Sequence, residues 1–295
     1  MKRFFAALLL IATTFFWGIT FTVVKDAVAR VDMFVFLSQR FILAALLMII
    51  PGLLFRNKPD RATIIAGLKL GAALFSAYAF QTAALLYTTA SNTAFLTGLN
   101  VVFVPLIAAA IMRQRVSAAV SIGAGLAAAG MFLLCTGGQF AVNRGDLLGF
   151  TCSIATAMHI LLTGHYAAKH DVYWITATQL ATIAVASTIA ATLTGHDISV
   201  YHPFLLGPVI ICALFATVFA FLVQTAMQRH IPAAQTALIF CLEPVFGAGY
   251  AYFAAGEKLT MVALSGGVLI LAGMLLAELL PSGGNPELTE LEMGR

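Results

Sequence analysis

Charge is what this sequence has least of: only 9% of its 295 residues are Asp, Glu, Lys or Arg, while 61% are hydrophobic. A soluble domain carries roughly 25% charged residues, so a water-solvated surface is excluded and lipid is the expected solvent. Cysteine is sparse as well. Cys135, Cys152, Cys212 and Cys241 sit in apolar segments with no CxxC pair and no His cluster, which argues against a zinc site or a disulfide framework. No metal and no cofactor are expected. HExxH, GxSxG, Walker A and aspartate-rich pairs are all missing, which leaves a membrane-embedded enzyme as the weaker alternative and denies the chain direct use of nucleotide energy. No repeated filter or ring of like charge points to a channel, and no long polar segment points to a sensor or scaffold. The formal charge of +4 comes from singly scattered basic residues, so nucleic acid is not an expected partner.

What the chain does have is long apolar blocks. A spanning helix needs roughly 20 mostly apolar residues, and ten such blocks fall near 4–24, 33–54, 63–86, 91–112, 117–136, 147–167, 173–194, 205–227, 234–254 and 261–280. Their continuity excludes a barrel, whose strands would be near ten residues and alternate. The first block follows Met1-Lys2-Arg3 in the manner of a signal peptide, but it is near full spanning length and lacks an A-x-A site, so a retained helix is expected. With the N-terminus inside, Lys2, Arg3, Arg56, Lys58, Arg61, Arg113, Arg115, Lys169 and Arg229 collect on the cytoplasmic side. The opposite side receives Lys25, Arg30, Arg144 and Lys258. The positive-inside rule therefore predicts a multi-pass protein of the inner membrane with both termini in the cytoplasm and a disordered tail over 281–295.

The two halves resemble each other. A gap-free offset of 143 residues lays Gln81-Thr82-Ala83 on Gln224-Thr225-Ala226, Gly123 on Gly266, and Ala129-Gly130-Met131 on Ala272-Gly273-Met274. About 16 of roughly 53 positions agree over this stretch. The repeats read as 1–137 and 145–280. Since each holds five helices, an odd number, the second enters the membrane from the opposite side, an inverted-topology repeat that favours alternating access. The fold class expected is therefore all-α, ten transmembrane helices in two inverted five-helix repeats.

Phe16-Trp17-Gly18-Ile19-Thr20-Phe21 in the first helix, Leu242-Glu243-Pro244-Val245-Phe246 in the ninth and Gly256-Glu257-Lys258-Leu259-Thr260 after it resemble signatures of the EamA-type drug/metabolite transporters. The resemblance covers nearly the whole chain. It implies an inner-membrane secondary carrier, commonly an exporter of amino acids or related metabolites, with an exporter or importer of another small metabolite or a drug-like cation as the alternative. In the first repeat Arg113-Gln114-Arg115 replaces the Gly256-Glu257-Lys258 of the second, and Asn100 stands opposite Glu243, so the halves are not chemically equivalent.

An ionisable group inside a span costs roughly 2.5–3.5 kcal/mol on insertion scales and so requires an account. Glu243 lies near the middle of the ninth block, before a Pro244 that removes a backbone hydrogen bond. Its functional reading is a ligand for a cationic group of the substrate or a coupling proton; its structural reading is a partner for Arg40 or a helix end. Arg40 can hold a substrate carboxylate or serve as a permanent counter-ion. His159, opposite Trp17 in the repeat, can relay protons or simply pack. Gln81 and Gln224 match across the repeats, as Gln39 and Gln179 approximately do, and with Asn100 they are candidates for polar contacts around a cavity. Trp17 and Tyr78 can stack on a substrate or pack between helices. Lys69 is close enough to the cytoplasmic end to snorkel, and His165 is nearer the loop. The small-residue spacings Gly67-x-x-x-Gly71 and Gly123-x-Gly125 report helix assembly. A small-molecule substrate is the expected partner, with protons as the second candidate.

Overall fold

A computed structural model describes residues 2–111, 116–136, 143–198, 202–255 and 260–279. The Arg113-Gln114-Arg115 turn, Gly256-Glu257-Lys258 and the 281–295 tail lie outside the described residues. The described chain is helical throughout its membrane-facing length. Three helices come first: α1 (Lys2–Val28), α2 (Met33–Phe55) and α3 (Arg61–Leu85). The fourth span is split into α4 (Ala90–Gly98) and α5 (Asn100–Ala110), and α6 (Ala118–Thr136) completes the first half. In the second half, α7 (Arg144–Ala167) and α8 (Val172–Leu193) are continuous. The eighth span is α9 (Leu206–Ala213), a π-helical segment Leu214–Phe219 and α10 (Ala220–Met227). The ninth is split into α11 (Ala233–Phe240) and α12 (Glu243–Ala255), and α13 (Met261–Leu279) is the tenth. Among the described residues, seven spans are long and apolar enough to cross a membrane.

Local sequence sets the helix starts. Asp32 accepts from the amides of Phe34 and Val35, Asp60 from Thr63 and Asp171 from Trp174, so orphan amides at the mouths of α2, α3 and α8 are satisfied where the chain leaves lipid. Asn143 and Asp146 form a reciprocal capping box at the start of α7. The bundle's outer face is apolar, with Leu53, Phe55, Leu147, Val185 and Leu193 exposed, as a protein solvated by hydrocarbon requires.

The halves are related by an axis in the membrane plane. α6 packs most extensively on α13, and α2 on α8, each pair joining equivalent helices. A Cβ added at Gly130 would come within 2.5 Å of the Gly266 carbonyl oxygen, and one at Gly273 within 2.5 Å of the Gly123 oxygen. The 143-residue offset converts one of these crossings into the other. As α6 descends from 130 to 123, α13 ascends from 266 to 273; equivalent helices run antiparallel, the geometric mark of an inverted repeat. Other packing obeys the same exchange: α7 on α4 and α5 mirrors α1 on α11 and α12. Gly67 and Gly71 admit Thr178 and Thr182 of α8, one turn apart, so the small-residue spacing does serve close approach.

The loops alternate between the two ends as an odd-helix repeat demands. At one end Arg56 pairs with Asp171 at 2.9 Å, and the Trp174 indole donates to the Asn57 carbonyl, joining the α2–α3 and α7–α8 turns. At the other, Lys25 donates to the Thr88 carbonyl at 2.8 Å, Asn143 donates to the Thr88 hydroxyl, and Asn92 donates to Asp146.

Candidate functional site: a charged cavity at the helix breaks

Both split spans break at the same place in their repeats, around Leu99 in the first and Cys241–Leu242 in the second. The amides there bond three residues back, Leu99 to Leu96 at 3.2 Å and Leu242 to Ile239 at 3.1 Å, so each span tightens and restarts. The restarted halves begin with Asn100 and Glu243. Pro244 thus occupies the second position of α12, where a missing N–H costs little. Gly18 lets α1 reach this point: a Cβ there would stand 2.5 Å from the Glu243 carbonyl oxygen.

Around these breaks lies a cavity with about 70 Å³ open to the centres of water molecules, several times what one water needs. Of the sequence-derived candidates, Glu243, Arg40, Trp17, Gln81, Asn100, His159, Gln224 and Tyr78 all line it. Gln179 does not. It stands behind His159, with its Oε1 3.0 Å from His159 Nε2. Gln39 points away from the cavity and donates to the Ile198 carbonyl at 3.1 Å. Lys69 is exposed, 3.3 Å from the Tyr166 hydroxyl, and His165 is exposed beside Lys169.

Arg40 is 2% exposed and has no carboxylate partner among the described residues. Its Nε donates to the Thr217 hydroxyl at 2.8 Å, and its Nη2 donates to the Tyr78 hydroxyl and the Ala216 carbonyl, both at 3.2 Å. The guanidinium also sits 4.9 Å from the Tyr78 ring centroid and 5.3 Å from that of Phe41. The π segment makes this cradle. Thr217 donates five residues back to the Cys212 carbonyl at 2.8 Å, and the Ala216 carbonyl is free to accept from both Arg40 and the Trp17 indole, the latter at 2.9 Å. π-Helical insertions recur at functional sites because they release backbone groups in this way. No sequence signal announces it: Leu214–Phe219 contains neither Gly nor Pro. Thr217 is among the residues that sequence reasoning missed, with Thr97 and Thr156 of the cavity wall.

The Glu243 side chain makes no hydrogen bond or ion pair with the described residues, and no salt bridge joins it to Arg40. The cavity therefore holds one guanidinium and one carboxyl group with no salt bridge between them. Thr20, Thr97 and Thr156 add hydroxyls to its wall, and Phe221 and Phe240 add apolar surface. Trp17 is wedged between those two rings, 5.4 and 4.9 Å from their centroids.

The sequence of the EamA-like transporter family matches residues 4–136 and again 143–279, one copy on each half. The chain belongs to the EamA-like transporter family. An uncharacterised transporter of Archaeoglobus fulgidus is 30% identical over 281 residues, spanning 95% of this chain and 87% of its own length. The uncharacterised transporter YyaM of Bacillus subtilis is 27% identical, with 94% of each chain covered. A crystal structure with 18% identity superposes with a TM-score of 0.77 over 93% of this chain and 96% of the other, a likeness of fold alone. This EamA-like protein is a multi-pass membrane transporter built from ten spans in two inverted halves, and not an enzyme.

Proposed function

We propose that this EamA-like transporter carries amino acids, or metabolites that keep an amino acid's ammonium and carboxylate, outward across the inner membrane by alternating access. The observation that carries the reading is that Arg40 and Glu243 line one cavity with no salt bridge between them. A lone cation would leave Arg40 without a counter-charge, and a lone anion would leave Glu243 without one. A zwitterion satisfies both, and in a water-poor site each charge-assisted contact is stronger than in water. The excess of Lys and Arg at the Arg56 end supports a cytoplasmic placement of that end and of both termini. Without a nucleotide site, transport draws on a gradient of substrate or of protons.

The test is accumulation of a panel of labelled amino acids and organic cations in sealed proteoliposomes of known orientation, with and without a proton gradient. Saturable amino-acid flux that collapses in both Glu243→Gln and Arg40→Met supports the reading. Saturable flux of simple cations, retained in Arg40→Met, overturns it in favour of the drug-like cation.

A further inference from the structure

The acceptors in the cavity are more specific than a negative charge. Asn100 is 3% exposed, and its Nδ2 donates to the Thr97 carbonyl at 2.9 Å. A carbonyl cannot donate, so this bond fixes the amide's orientation and leaves Oδ1, which has no partner. Gln224 reaches the same condition through a relay. Gln228 Nε2 donates to the Ile160 carbonyl at 3.0 Å, which fixes Gln228 with its Oε1 turned to Gln224. Gln224 must then present Nε2 to that oxygen, at 2.9 Å, and its own Oε1 is left unpartnered at 1% exposure. Two buried amide oxygens without a donor thus belong to residues that, with Glu243, line a single cavity.

Unmet buried acceptors are costly, and sites retain them where a ligand supplies the donors. Three kinds of group could do so: water, a hydroxyl, or an N–H. Water fits any of them, but the carboxylate calls for a cation, and a cation that also feeds two neutral acceptors must carry several N–H bonds. We infer that Asn100, Gln224 and Glu243 form a subsite for an unsubstituted primary ammonium, reading its N–H bonds as well as its charge. The inference rests on the amino-acid reading above and adds to it a discrimination that charge alone does not provide. A trimethylated ammonium has the same charge, no N–H and a larger head; in this subsite it leaves all three acceptors unpaired.

Proteoliposomes accumulating labelled alanine, N-methylalanine, N,N-dimethylalanine and N,N,N-trimethylalanine test this on the intact protein. Flux at limiting concentration is expected to fall by roughly tenfold or more with each N–H removed, as for sites that must pair a buried polar group. Asn100→Leu and Gln224→Leu are expected to lower alanine flux and to compress the ratio of alanine to its methylated forms, an outcome that a merely structural role for these amides does not give. Equal flux for all four compounds overturns the ammonium subsite while leaving the amino-acid transporter intact. A lack of flux for all four, with saturable transport of simple organic cations, overturns both. If either leucine variant fails to fold, the methylation series in the parent protein still decides the matter.

Discussion

Replacing Arg40 by Met separates a binding residue from a structural one, because the two roles predict opposite effects on stability. The guanidinium is buried with no carboxylate partner among the described residues, and a buried charge without a counter-ion carries a desolvation penalty of several kcal/mol. Its removal strands little. The Ala216 carbonyl keeps the Trp17 indole, and Thr217 keeps the Cys212 carbonyl. The Tyr78 hydroxyl loses its donor, at about 1 kcal/mol, and the contacts with the Tyr78 and Phe41 rings forfeit about 1–2 kcal/mol more. The net expectation for Arg40→Met lies between no change and a gain of about 2 kcal/mol in stability. Binding moves the other way. Loss of a charge-assisted bond to a carboxylate costs about 1.5–3 kcal/mol, or roughly ten- to a hundredfold in affinity. Thermal unfolding in detergent, read by tryptophan fluorescence beside amino-acid flux in proteoliposomes, measures both. A variant that melts several degrees lower yet transports like the parent would refute the reasoning and make Arg40 a structural cation.

Three further outcomes follow from the geometry. Thr217→Val keeps the volume but strands the buried Arg40 Nε donor; substrate affinity, measured by competition for flux, is expected to fall by roughly tenfold, and melting curves should show a loss of about 1–3 kcal/mol in stability. Gly130→Ala drives a methyl group into the α13 backbone and is expected to cost about 1–3 kcal/mol, whereas Gly125→Ala on the same helix meets nothing within 4 Å and should be tolerated; paired melting curves compare them. Asp60, outside the spans, has its carboxyl held below the ordinary range by the Thr63 hydroxyl and amide. A depressed folded value means its cap contribution is present above the unfolded pKa of 3.8 and is lost as pH falls through the folded one. Melting temperatures from pH 6 to pH 3 should therefore decline less steeply in Asp60→Asn than in the parent.

Much of the architecture was legible because membrane solvation writes strong one-dimensional signals. Ten apolar blocks and the Gly123/Gly266 and Gly130/Gly273 correspondences translate into ten spans and into the antiparallel α6–α13 contact. The cavity wall was partly legible for a related reason. A charge or amide inside a span is expensive, so Glu243, Arg40, Asn100, Gln81 and Gln224 stood out against Leu and Ala. The same reasoning could not separate Gln39 from Gln81, since both are span glutamines; only their helices' facing directions do.

Sequence by itself determined the solvent, the number of spans, the internal duplication and the small set of polar groups that had to be accounted for, because each is a property of composition or spacing along the chain. Tertiary structure decided which of those groups share a wall. It left Arg40 and Glu243 unpaired in one cavity, moved Gln179 behind His159 and Gln39 out to the α8–α9 connection. It also placed the π segment that turns Thr217 and the Ala216 carbonyl onto Arg40. Those outcomes depend on how helices rotate and cross, and such angles are fixed by contacts between different helices, 20 positions apart for His159 and Gln179 and 177 for Arg40 and Thr217, which no local pattern encodes.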